Sequence, residues 1–79
     1  MFKRLSSFIS NKEFHMSIYN DLIDIDNYNE IITLTDNLIV IESDNKLVYI
    51  KGRNLSIKKL MDNEILINGV IGDISFNDK

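Results

Sequence analysis

Turn-forming pairs recur every eight to ten residues through the C-terminal half of the chain: Asp36-Asn37, Asp44-Asn45, Gly52-Arg53, Asp62-Asn63 and Gly72-Asp73. Aspartate and asparagine accept backbone donors from their own neighbours, and glycine relieves crowding where the chain reverses. Between these pairs lie short runs rich in β-branched and apolar residues: EIITLT (30–35), LIVIES (38–43), KLVYIK (46–51), NLSIKKL (54–60), EILINGVI (64–71) and ISF (74–76). A βαβ unit needs about 30 residues, which this spacing does not leave. The expected fold is therefore all-β. It is an antiparallel meander of about six short strands, arranged as a sheet, a roll or a small sandwich.

Before residue 30 the pattern is less regular. IYNDLIDIDNY (18–28) reads as an irregular first strand. In residues 1–16, Phe2, Leu5, Phe8 and Ile9 recur at helical spacing, with Lys3, Arg4 and Lys12 off that stripe. This predicts a short N-terminal helix. The expected division is a helical segment over 1–16 and a single β domain over 17–79.

Alternation locates the core. Leu55 and Ile57 share one side of their strand, and Ile65, Ile67 and Ile71 share one side of theirs, a pattern that Ile74 and Phe76 continue. The middle strands differ. Leu38–Ile41 and Leu47–Ile50 are apolar on both sides, so both sides need a cover. The cover can be the N-terminal helix, a folded-over half of the sheet, or a second subunit. A chain of 79 residues has a thin core, and small domains often add a disulfide, a metal or an oligomeric contact. Without cysteine and with a single histidine, His15, oligomerisation is the stabiliser that remains. The residues expected to make intermolecular contacts are Phe2, Leu5, Phe8 and Ile9 on the helix, and Val48 and Ile50 on a middle strand. A homo-oligomer is expected.

The net charge of −3 is laid out in blocks. Seven acids and no Lys or Arg occupy residues 17–45, while Lys46, Lys51, Arg53, Lys58 and Lys59 follow without an acid among them. Such blocks favour mutual pairing, within a fold or between subunits. The basic segment, with Tyr49, also supports an alternative reading as a nucleic-acid-binding or regulatory module. The acidic balance weighs against that, and no nucleic-acid partner is expected.

Asp21, Asp24 and Asp26 invite a calcium reading. From Asp24, however, an EF-hand loop would place Tyr28, Asn29 and Thr35 at the fifth, sixth and twelfth positions, where an oxygen ligand, glycine and glutamate belong. The three glycines are isolated, so there is no phosphate loop, and Glu64 reads as a lone acid in a strand. No catalytic, metal or cofactor site is expected, and the chain is expected not to be an enzyme. No run reaches the ~20 apolar residues of a membrane span, and the start lacks a secretory h-region, so a cytoplasmic location is the default.

Gly52-Arg53-Asn54-Leu55-Ser56-Ile57, then Leu60, then Glu64-Ile65-Leu66-Ile67-Asn68-Gly69-Val70-Ile71, then Ile74-Ser75-Phe76, resemble the ending of YabP/YqfC-type sporulation proteins. LIVIESDNKLVYIKG before it resembles their paired middle strands, with the YqfC branch the closer fit. The likeness covers roughly residues 28–76, and the first 27 residues depart from it. It implies a small, non-enzymatic structural or adaptor protein of a spore-forming bacterium. It also implies a membrane-protein partner encoded nearby, and so a place in the cytoplasm or peripherally at a membrane of the sporulating cell.

Overall fold

The computed structural model describes residues 13–78. Six antiparallel strands make one sheet: β1 (His15–Ile18), β2 (Leu22–Asp26), β3 (Glu30–Leu34), β4 (Leu38–Glu42), β5 (Lys46–Leu60) and β6 (Glu64–Asp78). Their order is β1-β2-β6-β5-β4-β3. From β3 to β6 each strand pairs with the next, as a meander does. β2 departs from that rule and lies against β6, which it precedes by four elements.

Local chemistry explains the hairpins. At Asp36-Asn37, Asp44-Asn45 and Asp62-Asn63 the chain reverses over two residues. The amides of Thr35, Ser43 and Met61 donate to the carbonyls of Leu38, Lys46 and Glu64, at 2.9, 2.9 and 2.8 Å. A fourth reversal, at Asn20-Asp21, is closed by the Tyr19 amide on the Leu22 carbonyl at 2.7 Å, so the stretch 18–28 spans a turn and not one strand. The first 12 residues of the expected helix lie outside the described residues. Its last two, His15 and Met16, belong to β1, so the sheet begins before residue 17.

Two expected turns are not turns. Gly52-Arg53 and Gly72-Asp73 sit inside β5 and β6, which run 15 residues each. Strand registers shift there instead, between Lys51 and Gly52, between Arg53 and Ser56, and between Ile57 and Lys59. Each shift is an extra residue on one strand, which bends the ribbon and flips its alternation. The core side of β6 thus changes from Ile65 and Ile67 to Ile74, which pairs with buried Ile50. Without the flips, one end of each long strand would turn its isoleucines to water.

The bend folds the sheet on itself. One half holds β3, β4 and the paired segments 46–51 and 73–78; the other holds β1, β2 and the paired segments 56–60 and 64–68. Ile39, Ile41, Val48 and Ile50 of the first half and Ile23, Ile25, Ile65 and Ile67 of the second are all fully buried in one cluster, with Leu55 at the bend. The sheet is therefore its own lid, one of the three covers that the two-sided apolar strands allowed. Val40 is buried on the other side of β4, opposite Thr33 on β3 and Tyr49 on β5.

Both turn ends brace the bend. The Gly52 and Leu55 amides donate to the carbonyls of Asn37 and Asp36 at 3.2 and 2.8 Å, and the Gly69 amide donates to that of Asp21 at 3.2 Å. Asn27 and Asn54 take left-handed backbones, with φ of 62° and 54°, a region asparagine visits more readily than most residues.

Candidate functional site

β2 reads LIDID, and its alternation decides where its acids go. Ile23 and Ile25 point into the core, so Asp24 and Asp26 stand on the outer face of the second half-sheet. β6 brings Glu64 directly opposite Asp26, and Leu66 opposite Asp24. On the other flank β1 places His15 opposite Asp26 and Ser17 opposite Asp24. The result is three half-buried carboxylates, Asp24, Asp26 and Glu64, with an oxygen of each within 4.8 Å of the others.

Three negative charges this close raise one another's cost of ionisation. Glu64 carries the effect. Its carboxyl is pushed above the usual glutamate range, first by a hydrogen bond shared with Asp24, then by desolvation, then by repulsion from Asp24 and Asp26; Lys59 opposes the rise. Once protonated, Glu64 is placed to donate to the Asp24 carboxylate. The Oδ1 atom of Asp24 is buried and has no hydrogen-bond partner among the described residues. His15 is turned to its own strand, with Nε2 3.1 Å from the Ser17 hydroxyl. Chemically the arrangement can hold a proton, or offer three oxygen donors to a hard cation, fewer than the six to eight that calcium takes.

The sequence pattern showed the Asp24/Asp26 side of this cluster but not Glu64. The β2–β6 pairing spans some forty residues and leaves no local signal. Asp21, grouped with these acids by proximity in the chain, is in the exposed β1–β2 turn and not part of the cluster.

The expected contact residues fare differently. Phe2, Leu5, Phe8 and Ile9 lie outside the described residues. Val48 and Ile50 are fully buried in the chain's own core, covered by the folded-over half, and so offer no surface to a partner. Exposed large apolar side chains are instead Ile18, Tyr19, Ile32, Leu34, Leu60, Met61, Val70 and Phe76, most of them toward the sheet's edges and turns.

The basic residues of β5 are exposed but spread over the bent strand. Lys46 and Lys51 lie on opposite sides of the first half, Arg53 at the bend, and Lys58 and Lys59 in the second half. Lys46 pairs with Asp78 of β6 at 2.6 Å, a partner in the acidic tail rather than in the acidic block of residues 17–45. Arg53 borders a shallow open pocket with Asp36, Asn37 and Asn54. Among the described residues no helix is long and apolar enough to cross a membrane.

Residues 10–79 match the model of the YabP family. The match reaches well before residue 28 and takes in β1 and β2 along with the later strands. No curated protein and no solved structure matches the chain.

Proposed function

The chain belongs to the YabP family, and from that premise we propose that it is a non-enzymatic, sporulation-associated structural or adaptor protein. In this reading it self-associates and docks to a membrane protein or to a spore-envelope assembly. Within the family, the YqfC-like branch is the closer likeness.

The family match carries the sporulation part of the reading. Apolar side chains left exposed on the folded sheet support the binding part, because a small β domain gains from covering them. The self-contained core is consistent with a scaffold that presents surfaces rather than a cleft.

Two measurements test it. Deleting the gene in a spore-forming host is expected to lower the yield of mature spores, with a fluorescent fusion concentrating at the developing spore's envelope. Unaltered spore yield and a diffuse fusion would overturn the sporulation reading. Light scattering of the purified full chain across concentration is expected to give a mass above the 9.2 kDa of one copy. A constant monomer mass would overturn self-association.

A further inference from the structure

We propose that two copies of this chain join edge to edge through β6, with residues 72–78 of each running antiparallel to the same segment of the other. This rests on the self-associating reading above and names the surface that performs it.

Among the described residues the sheet has four exposed margins, and three are blunted. β1 is four residues long. β3 is interrupted by a register shift between Ile31 and Thr33. The 56–60 segment of β5 carries a shift between Ile57 and Lys59 and bears Lys58 and Lys59. Short length, bulges and lysines are the devices by which proteins keep strand edges from pairing. The 73–78 segment of β6 has none of them. Its register with β5 is unbroken from Asp73 to Asp78, it holds no lysine or proline, and among the described residues it pairs on one side only.

The hairpin closures reveal which main-chain groups face outward. The Ser43 amide bonds the Lys46 carbonyl, so Lys46, Val48 and Ile50 direct their main-chain groups to β4, and Leu47, Tyr49 and Lys51 direct theirs to β6. Their opposite numbers Asn77, Ser75 and Asp73 bond back. The amides and carbonyls of Ile74, Phe76 and Asp78 are then aimed at the open edge.

A second copy fits this edge. Outward groups must meet outward groups, and the register that sets Ile74 opposite Phe76 in both directions satisfies them about a two-fold axis between the two Ser75 residues. Phe76 stands on the core side, opposite Val48, yet is 53% exposed. In this register it lies beside the other copy's Ile74, and the two cores become continuous. The charges also agree. Asp78 is already paired with Lys46 at 2.6 Å, and Asp73 lies opposite Lys51. Across the axis Asp73 meets Asn77 and Asp78 meets Gly72, so no aspartates oppose each other.

The test uses the full chain, which has no cysteine of its own. At a non-hydrogen-bonded antiparallel pair the Cα atoms are about 4.5 Å apart, within disulfide reach. Mild oxidation of Ser75→Cys is expected to give a covalent dimer, while Ile32→Cys on β3 is expected to remain monomeric on a denaturing gel. Phe76→Lys, which puts a charge on an exposed edge position, is expected to raise the dimer dissociation constant at least about tenfold with unchanged circular dichroism. If the unaltered chain associates but Ser75→Cys does not cross-link and Phe76→Lys still associates, the β6 edge is overturned and self-association stands. If the unaltered chain is a monomer throughout, both fall.

Discussion

Gly69 lies against Asn54 so closely that a Cβ on the glycine would stand 2.6 Å from the Asn54 carbonyl oxygen and 2.9 Å from Leu55 Cα. This contact is where the two long strands cross at the bend. Gly69 has φ of 138° and Asn54 is left-handed, so both strands take unusual backbones at the same point. Gly69→Ala therefore has to move backbone, not a flexible side chain. We expect it to destabilise the chain by about 2 kcal/mol or more, read from urea unfolding followed by circular dichroism. A loss under about 0.5 kcal/mol would mean the bend is not under this constraint.

Leu55 is the side chain that the bend inserts into the core, with 4% of its surface exposed. Leu55→Ala is expected to cost about 2–5 kcal/mol. Ile32→Ala, at a position 51% exposed, is expected to stay within about 0.5 kcal/mol on the same assay. Similar losses at both positions would contradict the folded-sheet core.

The acidic cluster predicts a pH dependence with a definite sign. Glu64 has a raised folded-state pKa, so between its ordinary value near 4.5 and that raised value the folded chain holds more protons than the unfolded one. Stability from this group is greatest at or below pH 4.5 and declines as pH rises through the folded value. Glu64→Gln removes the ionisation and keeps a donor for Asp24. Its unfolding midpoint at pH 7 is expected to exceed that of the unaltered chain, with the difference shrinking toward pH 4. A gap that widens on acidification would show that the Glu64 carboxyl is not held above its ordinary range.

Asp78 titrates in the opposite sense. Lys46, by its hydrogen bond and its charge, holds the Asp78 carboxyl below the usual aspartate range, so this contribution is present above pH 3.8 and lost as pH falls through the lower folded value. The side chains are 51% and 84% exposed, and solvent screens them. Lys46→Ala is expected to leave the urea midpoint at pH 7 unchanged within error. A clear drop would assign the pair a structural role.

Several elements were legible from sequence because their causes are local. Asp36-Asn37, Asp44-Asn45 and Asp62-Asn63 are turns flanked by antiparallel strands, and each is closed by a main-chain bond between residues three apart, with the Thr35 and Ser43 hydroxyls accepting from the Leu38 and Lys46 amides in the first two. The inward side of the first part of β6 followed from alternation at Ile65 and Ile67. Glycine misled the reading twice. Gly52 and Gly72 suggested turns, but each marks a place where a strand bends and shifts register while continuing. A glycine that permits a turn and one that permits a bulge look the same in one dimension.

The sequence by itself determined an antiparallel all-β class of about six strands, the three Asp-Asn hairpins, and the family to which the chain belongs. Only tertiary structure decided that β2 crosses to β6, that the sheet folds over Val48 and Ile50, and that Glu64 joins Asp24 and Asp26. The physical reason is range. Turn and strand preferences act over a few residues, whereas the β2–β6 register and the fold at Gly69 depend on which distant backbones approach closely enough to bond. Those approaches bury isoleucines that any compact arrangement would bury, so composition and periodicity do not choose among them.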